Sequence, residues 1–125
     1  MTGLEIDFTR LPEYLLVNSE RLCHTGSRAI CVPSPTDTDD DYLVLAKPWL
    51  EDILKGQGWC KESADRYGTS VFHSWRKDDI NLIVTQDCEF FRKFELATKV
   101  AAAMNVSSKK DRVTLFKAIL YGTSP

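Results

Sequence analysis

Apolar positions recur along this chain in two rhythms, and each predicts its own kind of element. Phe90, Phe94, Ala97, Ala101 and Met104 follow one another at four-three-four-three spacing, the period of a helix face, which predicts an amphipathic helix from about Asp87 to Met104. Val113, Phe116, Ile119 and Leu120 repeat the pattern in a last helix that Ser107 or Ser108 can cap and Gly122 ends. Two shorter helices are predicted earlier. One runs from Leu11-Pro12 to about Arg21 on Leu11, Tyr14, Leu15 and Val17; the other, Pro48 to Lys55, has Trp49, Leu50, Ile53 and Leu54 as its apolar set and Gly56 as its stop.

The second rhythm is that of strands: Leu22-Cys23-His24, Tyr42-Leu43-Val44-Leu45, Trp59-Cys60-Lys61, Ser70 to Arg76 and Ile80 to Val84, the last two forming a hairpin. Leu4, Ile6 and Phe8 alternate with polar residues, as in a short strand or a packed arm. Pro33 and Pro35 exclude a helix between Ile30 and Thr36 and predict an extended rim. Repeats and interdomain linkers are absent from the pattern. The expected fold is α/β in the α+β sense, one domain over residues 1–125 with a mixed sheet of about four to five strands and helices packed on it.

Composition narrows this little. A chain of 125 residues, 43% hydrophobic, can bury one core and is too short for two. Its net charge of -2 supplies no general positive field, so an RNA or DNA partner would need a local basic face. Lys109, Lys110, Arg112 and Lys117 are the one basic cluster; it reads as a solvated helix surface, with phosphate or RNA contact as the alternative. There is no apolar run of membrane-spanning length and no basic-then-apolar leader after Met1, which predicts a cytoplasmic protein with no membrane partner. Cys23, Cys31, Cys60 and Cys88 lack metal-site spacing and read as reduced, mostly buried thiols. His73 shares a strand face with Val71 and Trp75 and reads as a packed, hydrogen-bonded histidine rather than a base.

The chemistry concentrates in two stretches. At Thr25-Gly26-Ser27-Arg28 a strand turns sharply at glycine into a helical turn, whose backbone N–H groups can hold a phosphate. The plainer alternative makes Ser27 an N-cap and Arg28 a solvated side chain. At Asp37-Thr38-Asp39-Asp40-Asp41, carboxylates crowd the lip of an apolar strand, a costly arrangement unless a cation compensates it; the alternative is a solvated acidic turn. Residues two apart on a strand share a face with Cα atoms ~7 Å apart, a reach suited to shared metal ions. Asp39 with Asp41 is preferred because Asp41 abuts the strand, and Asp37 with Asp39 satisfies the same spacing.

Together, Gly26-Ser27 and Asp39-x-Asp41 resemble the signature of the nucleotidyltransferase superfamily related to DNA polymerase beta. The resemblance continues through Ile80 to Thr85 and the helices beyond, from about Leu11 to Tyr121. It is strongest to short, single-domain nucleotidyltransferases of bacteriophages and bacteria, with tails of the type Lys109 to Phe116. It implies a minimal nucleotidyltransferase fold that moves a nucleoside monophosphate from ATP or another triphosphate to a hydroxyl on an RNA, a protein or a small molecule. It further implies Mg²⁺ or Mn²⁺ on Asp39 and Asp41, and nucleotide contacts from Gly26, Ser27 and Arg28. The superfamily places a third acid on a later strand; the matching position here is Asn81, which brings neither negative charge nor a base. Asp79, two residues earlier, is the candidate to replace it in catalysis, leaving Asn81 a nucleotide contact. The alternative is a catalytically weakened relative that binds a nucleotide or a host protein. Either would draw specificity from self-association or a partner protein.

Overall fold

The run Tyr42 to Leu45, apolar at every position, is explained by its neighbours: it lies inside a sheet with helices on both faces, so neither face of the strand meets water. In the computed structural model, which describes residues 11–32, 35, 38–62 and 71–122, this strand is β2 (Asp40–Ala46). It pairs antiparallel with β1 (Ser19–Thr25) and parallel with β5 (Ile80–Thr85). Next come β4 (Phe72–Lys77) and β3 (Cys60–Glu62), both antiparallel to their neighbours, giving one mixed sheet of order β1-β2-β5-β4-β3. The β4–β5 pair is the expected hairpin, turning at Asp78, which adopts φ 55°.

The pleat sorts the core into two layers. Leu43, Leu45, Ile83 and Phe72 face α2 (Gly26–Ile30), α4 (Cys88–Ala103) and α5 (Lys109–Tyr121). Tyr42, Val44, Leu82, Val84 and Trp75 face α1 (Glu13–Val17) and α3 (Leu50–Gly56). α4 starts where expected, because the Asp87 carboxylate accepts from the N–H groups of Glu89 and Phe90 at 2.9 and 3.0 Å. Phe90, Phe94, Ala97 and Ala101 are all buried, and Phe94 meets Phe116 of α5 edge-on with ring centroids 4.9 Å apart. Ser108 caps α5 and Gly122 ends it in the left-handed region at φ 65°.

Several expectations are corrected. The first helix stops at Val17 instead of Arg21, since the Asn18 amide donates to the Tyr14 carbonyl and the Ser19 hydroxyl to that of Leu15. Ser19 to Arg21 join β1 instead, with Ser19 opposite Ala46. Met104 is the C-cap of α4 and 67% exposed, and Trp49, expected in the α3 core face, is 52% exposed with its indole N–H on Asn18. Gly56 lies within α3, and Gln57 is its C-cap. The alternation at Leu4, Ile6 and Phe8, the start of the expected strand at Ser70, and Pro33 and Asp37 lie outside the described residues. His73 is hydrogen-bonded as expected, with its Nδ1 2.6 Å from Glu51 Oε1. Among the described residues no helix is long and apolar enough to cross a membrane.

All four cysteines are free thiols, but only Cys23 is buried; Cys60 and Cys88 are exposed. Burial, followed by the charge of Glu95, pushes the Cys23 thiol up to about 12. A thiol reagent at mildly alkaline pH is therefore expected to titrate Cys60 and Cys88 in the native protein and Cys23 only after denaturation. Rapid modification of Cys23 in the folded state, read by mass spectrometry of the labelled peptides, would contradict this.

Candidate functional site

The site begins where β1 ends. Thr25, fully buried, hydrogen-bonds through its hydroxyl to that of Thr98 on α4 at 2.7 Å, which fixes the last residue of the strand against the helix beneath it. The next residue, Gly26, takes φ 75° and turns the chain into α2. Thr25 is also the register partner of Asp41, so the Gly26 backbone packs directly on the Asp41 carboxylate. Across β2, Asp41 is in register with Asn81, whose Nδ2 donates to Asp41 Oδ1 at 3.2 Å. Ser27 reaches the acidic segment from its own side, with its hydroxyl 3.1 Å from that of Thr38.

The crowded carboxylates are sorted by the pleat and by arginines. Asp40 points to the opposite sheet face, where it is 3% exposed; its Oδ1 lies 2.5 Å from His24 Nε2 and its Oδ2 accepts from the Tyr42 hydroxyl at 2.9 Å. Asp39 lies just before β2 and takes the Arg76 guanidinium at 2.7 Å. That hydrogen bond holds the Asp39 carboxyl below the usual carboxylate range. The same guanidinium donates to Glu62, and the two acids together push the Arg76 pKa upward. Asp79, in the hairpin turn, pairs with Arg28 at 3.3 Å, and its backbone carbonyl accepts from the Asp40 N–H.

Four of the expected residues, Gly26, Ser27, Asp39 and Asp41, line one cleft of about 680 Å³, within the range of small-molecule sites. Asn81 adjoins it through Asp41. Arg28 and Asp79 are paired with each other and do not line it, so the carboxylate expected to replace the third acid is engaged by Arg28. Two residues weighed as a solvated helix surface line it instead: Lys109 and Arg112, from the first turn of α5. Arg112 is held in place by donating to the carbonyls of Val106 and Ser107 and to Cys31 Sγ. Sequence reasoning missed Arg76 altogether. It alternates with Trp75 along β4 and reads as a solvent-side residue, and its partnership with Asp39 arises only from the order of strands.

Whether these residues suit a divalent cation is a matter of donor chemistry. Among the described residues no three His, Cys, Asp or Glu side chains converge as a metal centre. Asp39 and Asp41 do line the same cleft, and Asn81 Oδ1 is a buried oxygen without a hydrogen-bond partner among the described residues. Two carboxylates and an amide oxygen are hard donors of the kind Mg²⁺ takes. The two carboxylates fit such an ion, with Asp39 shared by Arg76, while the Asn81 amide turns its Nδ2 to Asp41. Comparisons with protein-family models, with curated proteins and with solved structures returned no match.

Proposed function

We propose that this chain is a minimal nucleotidyltransferase, which holds a nucleoside triphosphate in the cleft between α2, β2 and α5 and transfers its nucleoside monophosphate to a hydroxyl of an RNA, a protein or a small molecule. One observation carries the reading: a single cleft is lined by the Gly26-Ser27 turn, two carboxylates and two cations from a distant helix. A polyphosphate with its counter-ion asks for such a mixture, since the phosphates need cations and hydroxyls and the counter-ion needs carboxylates. Lys109 and Arg112 bind phosphate charge, Arg112 from a fixed position and Lys109 from an exposed stem. Ser27 donates its hydroxyl to the same group. Phe94 and Phe116, buried in the cleft floor, keep water from beneath the reacting phosphate. Mg²⁺ held by Asp39 and Asp41 would lower the pKa of the attacking hydroxyl and neutralise the leaving pyrophosphate.

A second reading is favoured by a specific observation. With Asn81 at the third acidic position and Arg76 on Asp39, the same cleft can hold a nucleotide without transferring it, as a binding module. Incubation of the full chain with α-labelled triphosphates, Mg²⁺ or Mn²⁺ and a cell extract separates the two. Transfer of label is expected, with Lys109→Ala weakening nucleotide binding about tenfold through the lost charged contact. Nucleotide binding with no transfer would select the binding module. Neither binding nor transfer would end both readings.

A further inference from the structure

We infer that Arg76 is the resident counter-cation of this site and competes with the divalent ion for Asp39. The inference rests on the proposed function, whose metal it concerns. Its basis is a cross-strand row: Asp41 on β2 is in register with Asn81 on β5, and Asn81 with Arg76 on β4, so all three side chains project from one face of the sheet. The arginine stem spans the short asparagine and brings Nη1 to Asp39 Oδ1 at 2.7 Å. Its Nε donates to Glu62 Oε1 at 2.5 Å.

This fork answers how the acids coexist. Asp39, Asp41 and Asp79 gather where β2 and β5 begin, and like charges that close are costly without compensation. Arg76 on Asp39 and Arg28 on Asp79 supply the compensation from within the chain. A guanidinium and a divalent ion need the same carboxylate oxygens, so one excludes the other. Glu62 makes the exchange feasible, because an Arg76 displaced from Asp39 keeps a charged partner instead of entering water alone. Free metal therefore binds weakly, and the ion enters most readily together with phosphates that contribute oxygens of their own.

Titration of the metal-free full chain with Mn²⁺ alone, followed by calorimetry and by the electron spin resonance of unbound Mn²⁺, tests this. Arg76→Gln is expected to bind Mn²⁺ about tenfold tighter than the wild type, because Asp39 is released. Glu62→Gln should act in the opposite sense, weakening Mn²⁺ binding a few-fold, because Arg76 is left to Asp39 alone. Circular dichroism establishes that each variant is folded, and the opposed signs keep the test decisive if one is not. Measurable but equal affinities in the folded proteins would overturn the inference and leave the proposed function standing. Absence of Mn²⁺ binding in all of them would overturn both the inference and the metal in the proposed function.

Discussion

Gly26→Ala is expected to cost about 2–5 kcal/mol of stability, the sum of a left-handed backbone strain and an overpacked contact. A Cβ built on Gly26 would lie 2.2 Å from Asp41 Oδ2, 2.9 Å from its Cγ and 3.0 Å from its Cβ. The last two are not the far end of a flexible chain; they are the root of a side chain on the central strand, so relief requires moving β2 or the turn. The residue also sits at φ 75°, where any side chain is strained. Gly122→Ala separates the two contributions. Gly122 has φ 65° and nothing within 4 Å of its Cβ position, so that variant bears the backbone cost alone, about 1–2 kcal/mol. Urea denaturation midpoints measure both. Equal losses would mean that the contact between the Gly-Ser turn and Asp41 has no energetic weight, and the site would lose its structural foundation.

That contact also marks how far the chain could be read in advance. α4 and α5 were legible because their signals are local: a carboxylate or hydroxyl cap at one end, an apolar stripe of the right period, and for α5 a terminal glycine. β2 and β5 were legible from the apolar runs within them, Tyr42 to Leu45 and Leu82 to Val84. Ser19-Glu20-Arg21 carries no strand signal; it is extended only because Ala46 and Leu45 offer backbone partners across the sheet. The acidic run could be recognised as unusual, but not sorted. That Asp40 is buried behind the sheet with His24 and Tyr42, while Asp39 and Asp41 line the cleft, depends on where β2 begins. Lys109 and Arg112 reach the cleft because α5 packs back on α4, a long-range fact that helical periodicity does not contain. The turn, the paired aspartates and the odd asparagine were visible as a set; the arginines that balance them were not.

Asn81→Asp is expected to reverse the site's preference between its metal-free and metal-bound states. In the metal-free protein the change removes the amide donor to Asp41 Oδ1 and sets a second carboxylate beside the first. The lost hydrogen bond and the like-charge contact together cost about 1–3 kcal/mol, a fall of several degrees in Tm. With millimolar Mg²⁺ or Mn²⁺ the order inverts, because a third negative oxygen donor strengthens ion binding and a ligand that binds only the folded state stabilises it by mass action. Label transfer should rise about tenfold or more in Asn81→Asp if the proposed reaction is limited by the missing acid, and fall about a hundredfold in Asp41→Asn, which retains the shape and loses the charge. Thermal melts with and without the ion, run beside the transfer assay, read all four quantities. A variant whose Tm ignores the ion would show that Asp41 and residue 81 do not share a cation. A variant stabilised by the ion yet inert in transfer would place the protein with the binding modules, with more than the identity of residue 81 separating its cleft from that of an enzyme.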